Sequence, residues 1–359
     1  MPDSPRASIV PAPSADVSPE TLFRETTGRI PAAAWEARLD IGAFRTLSIG
    51  PVMRRPFSLV ARCEVRGEHG TAPVYLKVAQ NGWNRTLAEL QEGLLRDDEN
   101  MRTWAERFGD HPRFRVVRPL LVLPELLVSA THESRGASLF DIILNRGAWR
   151  PGAAQMTRLE RTLFSAGEWL AYKDGVVERR ETPYDLDTLV DYIDLRLNLM
   201  VDAEEIAFGA DYRDRVRRFM ERARREVPAD DLRLVPTHND LNPGNLLIDG
   251  DVVTGIDFGA AHDDHYLLDL VKLYHQVSLF AFKPKYFTGV MVRLQRALLA
   301  GYGVPDLADR TIFKLLFLRY TISHLWAMKR ASGALPEKLY NRWVLYNELR
   351  ILDRLMEDA

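Results

Sequence analysis

Between Val235 and Gly259 the sequence reads VPTHNDLNPGNLLIDGDVVTGIDFG, with one histidine, four aspartates and three asparagines among apolar and turn-forming residues. Asn, Asp, Pro and Gly make turns, so a surface loop is the plain reading. The apolar runs NLLI and VVTGIDF, on either side of Asp249-Gly250, predict instead a two-residue hairpin. Asp240 and Asn245 then precede one strand and Asp257 ends the other, so three oxygen-bearing side chains converge. Donors of this kind suit Mg²⁺, which takes one or two carboxylates or amides and completes its shell with phosphate oxygens and water. An aspartate left off the metal is free to accept a hydroxyl proton.

The elements that must position these residues fall into parts of different character. Residues 1–35, which open MPDSPRASIVPAPSADVSPE, read as a disordered tail; they lack the basic start and apolar core of a signal peptide. Residues 36–132 show β-type runs, FSLVARCEV and APVYLKVA, then a helical stretch, RTLAELQEGLLRDDENMRTWAERF, then the strand-like FRVVRPLLVLPELLVSA. Residues 133–359 are dominated by helical patterns apart from the hairpin, and the two lobes meet near THESRGAS. This is an α+β chain with a small β-rich N-terminal lobe and a larger, mainly helical C-terminal lobe. Trp169, Trp326 and Trp343 sit at helical spacing among leucines and read as core.

Forty-eight basic against fifty acidic residues leave a formal charge of -2, which gives no general attraction to nucleic acid or to an anionic membrane. The most apolar stretches are broken by charge or proline, so none offers the roughly 20 apolar residues of a membrane span. The lone cysteine, Cys63, has no internal partner for a disulfide, and a reducing cytoplasm fits.

The order His238, Asp240, Asn245, then Asp257 and Gly259, in HNDLNPGN and GIDFG, resembles the catalytic loop and metal-binding motif of the aminoglycoside phosphotransferase and choline kinase superfamily, relatives of protein kinases. Asp269, twelve residues after Asp257 in LLDLV, matches the family's aspartate that braces the catalytic loop. The resemblance implies a bilobal, protein-kinase-like fold and transfer of the γ-phosphoryl group of ATP or GTP to a hydroxyl of a small molecule. Asp240 is then the catalytic base, His238 supports its loop, and Asn245 and Asp257 hold Mg²⁺.

Such a kinase needs a lysine on the phosphates and an acidic partner to orient it. Lys77 is the only lysine before Lys173, in a chain that otherwise relies on arginine, and it lies mid-strand in VYLKV where charge is rare. A lysine snorkelling from an edge strand is the bland alternative. For the partner, Asp97, Asp98 and Glu99 follow one another; spacing favours Asp98, and the longer side chain favours Glu99, which we take. The resemblance places Ser58 on the β-phosphate and the backbone of Ser129 and Thr131 on the nucleotide base. The phosphate-covering turn departs from the family pattern: SIGPVMRRPFSLVARCEV holds one glycine and two prolines, and Arg54 or Arg55 would have to compensate for missing backbone contacts.

The acceptor is the least readable part. Asp187, Asp191 and Asp194 fall on one helical stripe, either an acidic wall for a cationic acceptor or a solvated face opposite Leu189 and Ile193. Two rival functions are a non-catalytic nucleotide-binding module, which would be expected to lack one of the acidic groups, and a metal-dependent phosphohydrolase built on the His262-Asp263 doublet of AHDDH. Enzymes of that second kind carry the doublet on a helix, whereas here it follows a hairpin.

Overall fold

The computed structural model of the chain describes residues 17–81, 85–202, 209–330 and 335–357. They form two compact units, the first running to Gly136 and taking in Thr254–Ala260, the second comprising Ala137–Val253 and the residues from Ala261 onward. None of the described helices is long and apolar enough to cross a membrane.

The first unit contains helices α1 (Pro19–Thr27) and α2 (Ala32–Glu36), strands β1 (Phe44–Arg55), β2 (Ser58–Gly67) and β3 (Thr71–Ala79), helix α3 (Leu87–Phe108), and strands β4 (Phe114–Val116), β5 (Pro119–Leu123) and β6 (Val128–His132). Five strands build an antiparallel sheet in the order β1-β2-β3-β6-β5. Strict alternation sets its faces. Leu59, Ala61, Cys63 and Val65 of β2, with Val74, Leu76 and Val78 of β3, turn into one core, while Tyr75 and Lys77 point the other way.

Helices α1 and α2 correct the reading of residues 17–35 as a tail; residues 1–16 lie outside the described residues. Ser18 caps α1 by accepting the Thr21 N–H at 3.1 Å, and Pro19 occupies the first turn, where its missing donor is not needed. Phe23 and Trp35, 0% and 1% exposed, pack into the core with Leu59 and Leu76. Two buried aromatics anchor a segment whose average composition looks disordered.

Helix α3 starts in a capping box between Thr86 and Glu89. Its inward stripe runs Leu90, Leu94, Met101, Trp104 and Phe108, all buried, at spacings of three, four and seven residues that keep to one helix face.

The second unit holds β7 (Ala137–Ser138), helices α4 (Leu139–Arg146), α5 (Ala153–Gly175), α6 (Leu186–Asp202) and α7 (Ala210–Glu226), strands β8 (Leu234–Thr237), β9 (Leu246–Asp249), β10 (Val252–Gly255, whose end passes into the first unit) and β11 (His262–His265), and helices α8 (Leu268–Leu279), α9 (Thr288–Tyr302), α10 (Thr311–Arg330) and α11 (Leu335–Glu357). The β9–β10 hairpin turns at Gly250, whose φ of 60° suits glycine. β8 pairs antiparallel with β11, and α10 packs against α6, α8 and α11. Trp169 is fully buried, as its spacing implies. Trp343 is not core: with Leu335, Leu339 and Tyr346 it lies on an outer stripe of α11, 54% exposed.

Candidate active site

In the first unit, β3 and α3 bring Lys77 to two carboxylates. Its ammonium lies 3.4 Å from Oδ1 of Asp257 and 3.7 Å from Oδ2 of Asp97. Burial opposes the charged lysine, but Asp257 and Asp97 outweigh it and hold its pKa above the ordinary value. Burial pushes the Asp97 carboxyl up against the pull of Lys77.

Asp97 therefore replaces Glu99 as the partner of Lys77. Glu99 is exposed on α3, and Asp98, 6% exposed, is engaged by Arg102 at 2.7 Å. The reason is helical phase: Asp97 falls between Leu94 and Met101 on the inward stripe, and Glu99 lies off it. The same face handles the segment around Asp257. The Asn100 amide donates to the Phe258 carbonyl at 3.2 Å, and the Trp104 ring packs on Phe258, centroids 5.5 Å apart. A Cβ at Gly259 would lie 2.4 Å from Oδ1 of Asp97, so a larger residue there would displace that carboxylate. Asp257 has φ 64°, a left-handed conformation that costs a non-glycine residue energy and turns its carboxylate outward, 52% exposed.

Two expectations in this unit are placed differently. Ser129 is in register with Lys77 and Val122, and Thr131 with Tyr75 and Pro119. Strands flank both residues on both sides, so sheet pairing competes for the backbone groups expected to hold a base. Ser58 opens β2 opposite Arg55 and Ala79 and is 5% exposed.

In the second unit the loop after β8 is held from beneath. Asp269, fully buried on α8, accepts the N–H groups of His238 and Asn239, each at 2.8 Å. Its own charge is held by Lys173 of α5, also fully buried, at 3.1 Å. Lys173 lies 2.6 Å from Asp174, which accepts the Tyr302 hydroxyl at 2.7 Å. Burial would raise Asp269, but Lys173, His238 and the donated N–H together keep its carboxyl below the ordinary range. His238 is fully buried and its Nδ1 accepts the Asp240 N–H at 3.3 Å, so it shapes the loop from inside.

The asparagines brace the loop from above. Asn239 adopts a left-handed φ of 61°. The Asn242 side chain accepts the Gly244 N–H at 2.8 Å, and Asn245 donates Nδ2 to the Asp240 carbonyl at 2.9 Å. A carbonyl only accepts, so the Asn245 amide is oriented and its oxygen is left for another partner. Within this frame the Asp240 carboxylate is 51% exposed, and one oxygen meets the Lys272 ammonium at 2.5 Å. Lys272 also donates to the Asn239 carbonyl at 3.1 Å.

The sequence assigns no role to Lys173 or Lys272, although it carries a signal for them. The chain has only eight lysines against forty arginines, and three of the eight, Lys77, Lys173 and Lys272, sit on the carboxylates of these two constellations. The His262-Asp263 doublet lies on an extended strand with its side chains separately engaged: His262 meets the Asn239 amide at 2.5 Å, and Asp263 takes Arg180 at 2.8 and 3.0 Å. The supposed acidic wall of α6 is largely neutralised from α7, Asp187 by Arg224 and Asp194 by Arg217 at 2.5 Å.

Residues 73–311 match the model of a phosphotransferase enzyme family, APH. No curated protein sequence matches the chain. Among solved structures, a choline/ethanolamine kinase family protein from Mesorhizobium loti superposes with TM-score 0.56 at 16% identity, over 95% of this chain and 99% of that one. A thermostable aminoglycoside phosphotransferase variant in ternary complex with AMP-PNP and hygromycin B gives 0.54 at 13% identity, over 91% and 98%. A glucosamine kinase in complex with glucosamine, ADP and phosphate gives 0.51 at 13% identity, over 93% and 99%. At these identities the likeness is one of fold.

Proposed function

The chain belongs to the phosphotransferase enzyme family, and on that premise we propose that it moves the γ-phosphoryl group of ATP or GTP to a hydroxyl of a small molecule. The observation that carries the reading is the braced loop, which spends its amides and backbone on holding shape and leaves the Asp240 carboxylate half exposed. Asp240 orients the acceptor hydroxyl and takes its proton as charge develops. Lys77, steadied by Asp97, takes the nucleotide phosphates as a compact point charge. The amide oxygen of Asn245 in the second unit and the outward carboxylate of Asp257 in the first are hard donors of the kind Mg²⁺ takes, and the metal when bound would neutralise charge on the phosphates. His238 acts through the loop and touches no substrate. Phosphoryl transfer of this kind rests on positioning and charge, so these residues suffice for the chemistry.

The test is a melting experiment with nucleotide and Mg²⁺ added singly and together. Ligand at about a hundred times its dissociation constant stabilises the fold by roughly 2.7 kcal/mol. The expected result is an upward shift that needs both components and largely disappears in Asp257→Ala. No shift with millimolar ATP or GTP plus Mg²⁺ would end the kinase reading.

A further inference from the structure

Beside Asp240, within the second unit, a row of cations and phenols links α8, α10 and α6. The Lys272 ammonium lies 6.0 Å from the centroid of the Tyr320 ring. Arg319 lies over Tyr320 at 5.9 Å and over Tyr192 at 5.0 Å, and Arg196 lies over Tyr192 at 5.2 Å. Two donors in this row, Nε–H of Arg196 and the Tyr320 hydroxyl, are buried with no hydrogen-bond partner among the described residues. Buried donors are almost always satisfied, and both of these belong to one row of cations and phenols, so an acceptor-only ligand is what they match.

The charges around the row favour an anion. Three cations of the row, Lys272, Arg196 and Arg319, face the carboxylates Asp240 and Asp264, and a third carboxylate that acts on Tyr320, Asp269, has its own cation in Lys173. Asp264 is shared between Arg319 at 3.4 Å and His262 at 3.6 Å. Two acids of α6 that would offset the row, Asp187 and Asp194, are turned to α7, and the third, Asp191, is exposed. Burial would raise the Tyr192 phenol, yet the Ser323 hydroxyl and the two guanidiniums bring it below its ordinary value, as a positive field does. A cationic acceptor would meet Arg196 and Arg319 head on.

We propose that the acceptor of this enzyme carries, besides its hydroxyl, an anionic group, a carboxylate or a phosphate, that binds Arg196, Arg319 and the Tyr320 hydroxyl. The proposal rests on the kinase reading and narrows its acceptor class. Guanidinium pairs with carboxylate or phosphate oxygens through parallel N–H donors, and a flanking phenol adds a third.

The test uses the full chain loaded with Mg²⁺ and a non-hydrolysable nucleotide, titrated with four small probes that share a hydroxyl: glycerate, glycerol 3-phosphate, glycerol and ethanolamine. Binding is read by calorimetry. The expected result is binding of glycerate, glycerol 3-phosphate or both, with glycerol and ethanolamine silent; the stronger anion identifies the group as carboxylate or phosphate. Arg196→Met should weaken that binding about tenfold or more, the usual cost of losing a charge-assisted hydrogen bond. Tyr320→Phe, which removes a hydroxyl with no hydrogen-bond partner among the described residues, should weaken it several-fold, and both variants should keep the melting shift with nucleotide and Mg²⁺. The proposal is overturned if ethanolamine or glycerol binds as well as the anions, if no anion binds, or if both variants bind them like the wild type. Loss of the nucleotide shift in the unmodified chain would instead strike the kinase reading beneath it.

Discussion

Asp240→Asn should lower turnover by about 10² to 10⁴, the span associated with a positioned general base, while nucleotide affinity changes little. The substitution keeps the size of the side chain and an oxygen that still accepts from Lys272, so the contact now at 2.5 Å survives without its charge. The loop keeps its shape as well, because its bracing bonds run through the Asp240 backbone: the N–H donates to His238 and the carbonyl accepts from Asn245. What is lost is the base. Steady-state kinetics alongside calorimetric nucleotide binding separates the two effects. Near wild-type turnover, or nucleotide binding that collapses together with activity, would show that Asp240 has another task.

Lys173→Met should destabilise the chain by about 3–5 kcal/mol, because it leaves the carboxylates of Asp174 and Asp269 in the interior without their cation. Lys173 and Asp269 are both fully buried, so solvent screens none of this. The effect has a defined pH dependence. Lys173 helps to depress the folded-state pKa of Asp269, so the carboxylate contributes stability above its unfolded pKa of about 3.9, and that contribution is lost as pH falls through the lower folded value. The variant lacks much of the contribution at neutral pH, and its deficit should shrink toward acid pH. Urea unfolding at neutral pH and near pH 4 checks this. A deficit below about 1 kcal/mol, comparable with an exposed ion pair, would mean that the buried chain from Tyr302 to Asp269 does not hold the loop.

The candidate site residues that the sequence marks most clearly are those of telling type and spacing. His238 and Asp240 follow β8, Asn245 and Asp257 flank the β9–β10 hairpin, and a lysine inside a strand is unusual enough to mark Lys77. Neither cue for the partner of Lys77, spacing for Asp98 or side-chain length for Glu99, expresses helical phase: three acids in a row point in three directions, and the stripe of Leu90, Leu94, Met101 and Trp104 selects Asp97. Lys173 and Lys272 lie 96 and 32 residues from the loop partners they serve, Asp269 and Asp240, and helices bring them there, a placement that spacing along the chain does not express. The same rarity of lysine that marks Lys77 applies to them. The tail reading of residues 17–35 failed because disorder was judged from average composition, whereas Phe23 and Trp35 provide the burial that orders the segment. The stripe of acids on α6 looked like a binding wall because its arginine partners belong to another helix, α7.

The most direct test of phosphoryl transfer is to follow the γ-phosphoryl group itself. The chain is incubated with Mg²⁺ and γ-labelled ATP or GTP in the presence of hydroxyl compounds, including those bearing a carboxylate or a phosphate. The account predicts label in an organic product, nucleoside diphosphate released in equal amount, and a loss of both in Asp240→Asn. Label released only as inorganic phosphate, at a rate indifferent to every acceptor and to the Asp240 substitution, would contradict it.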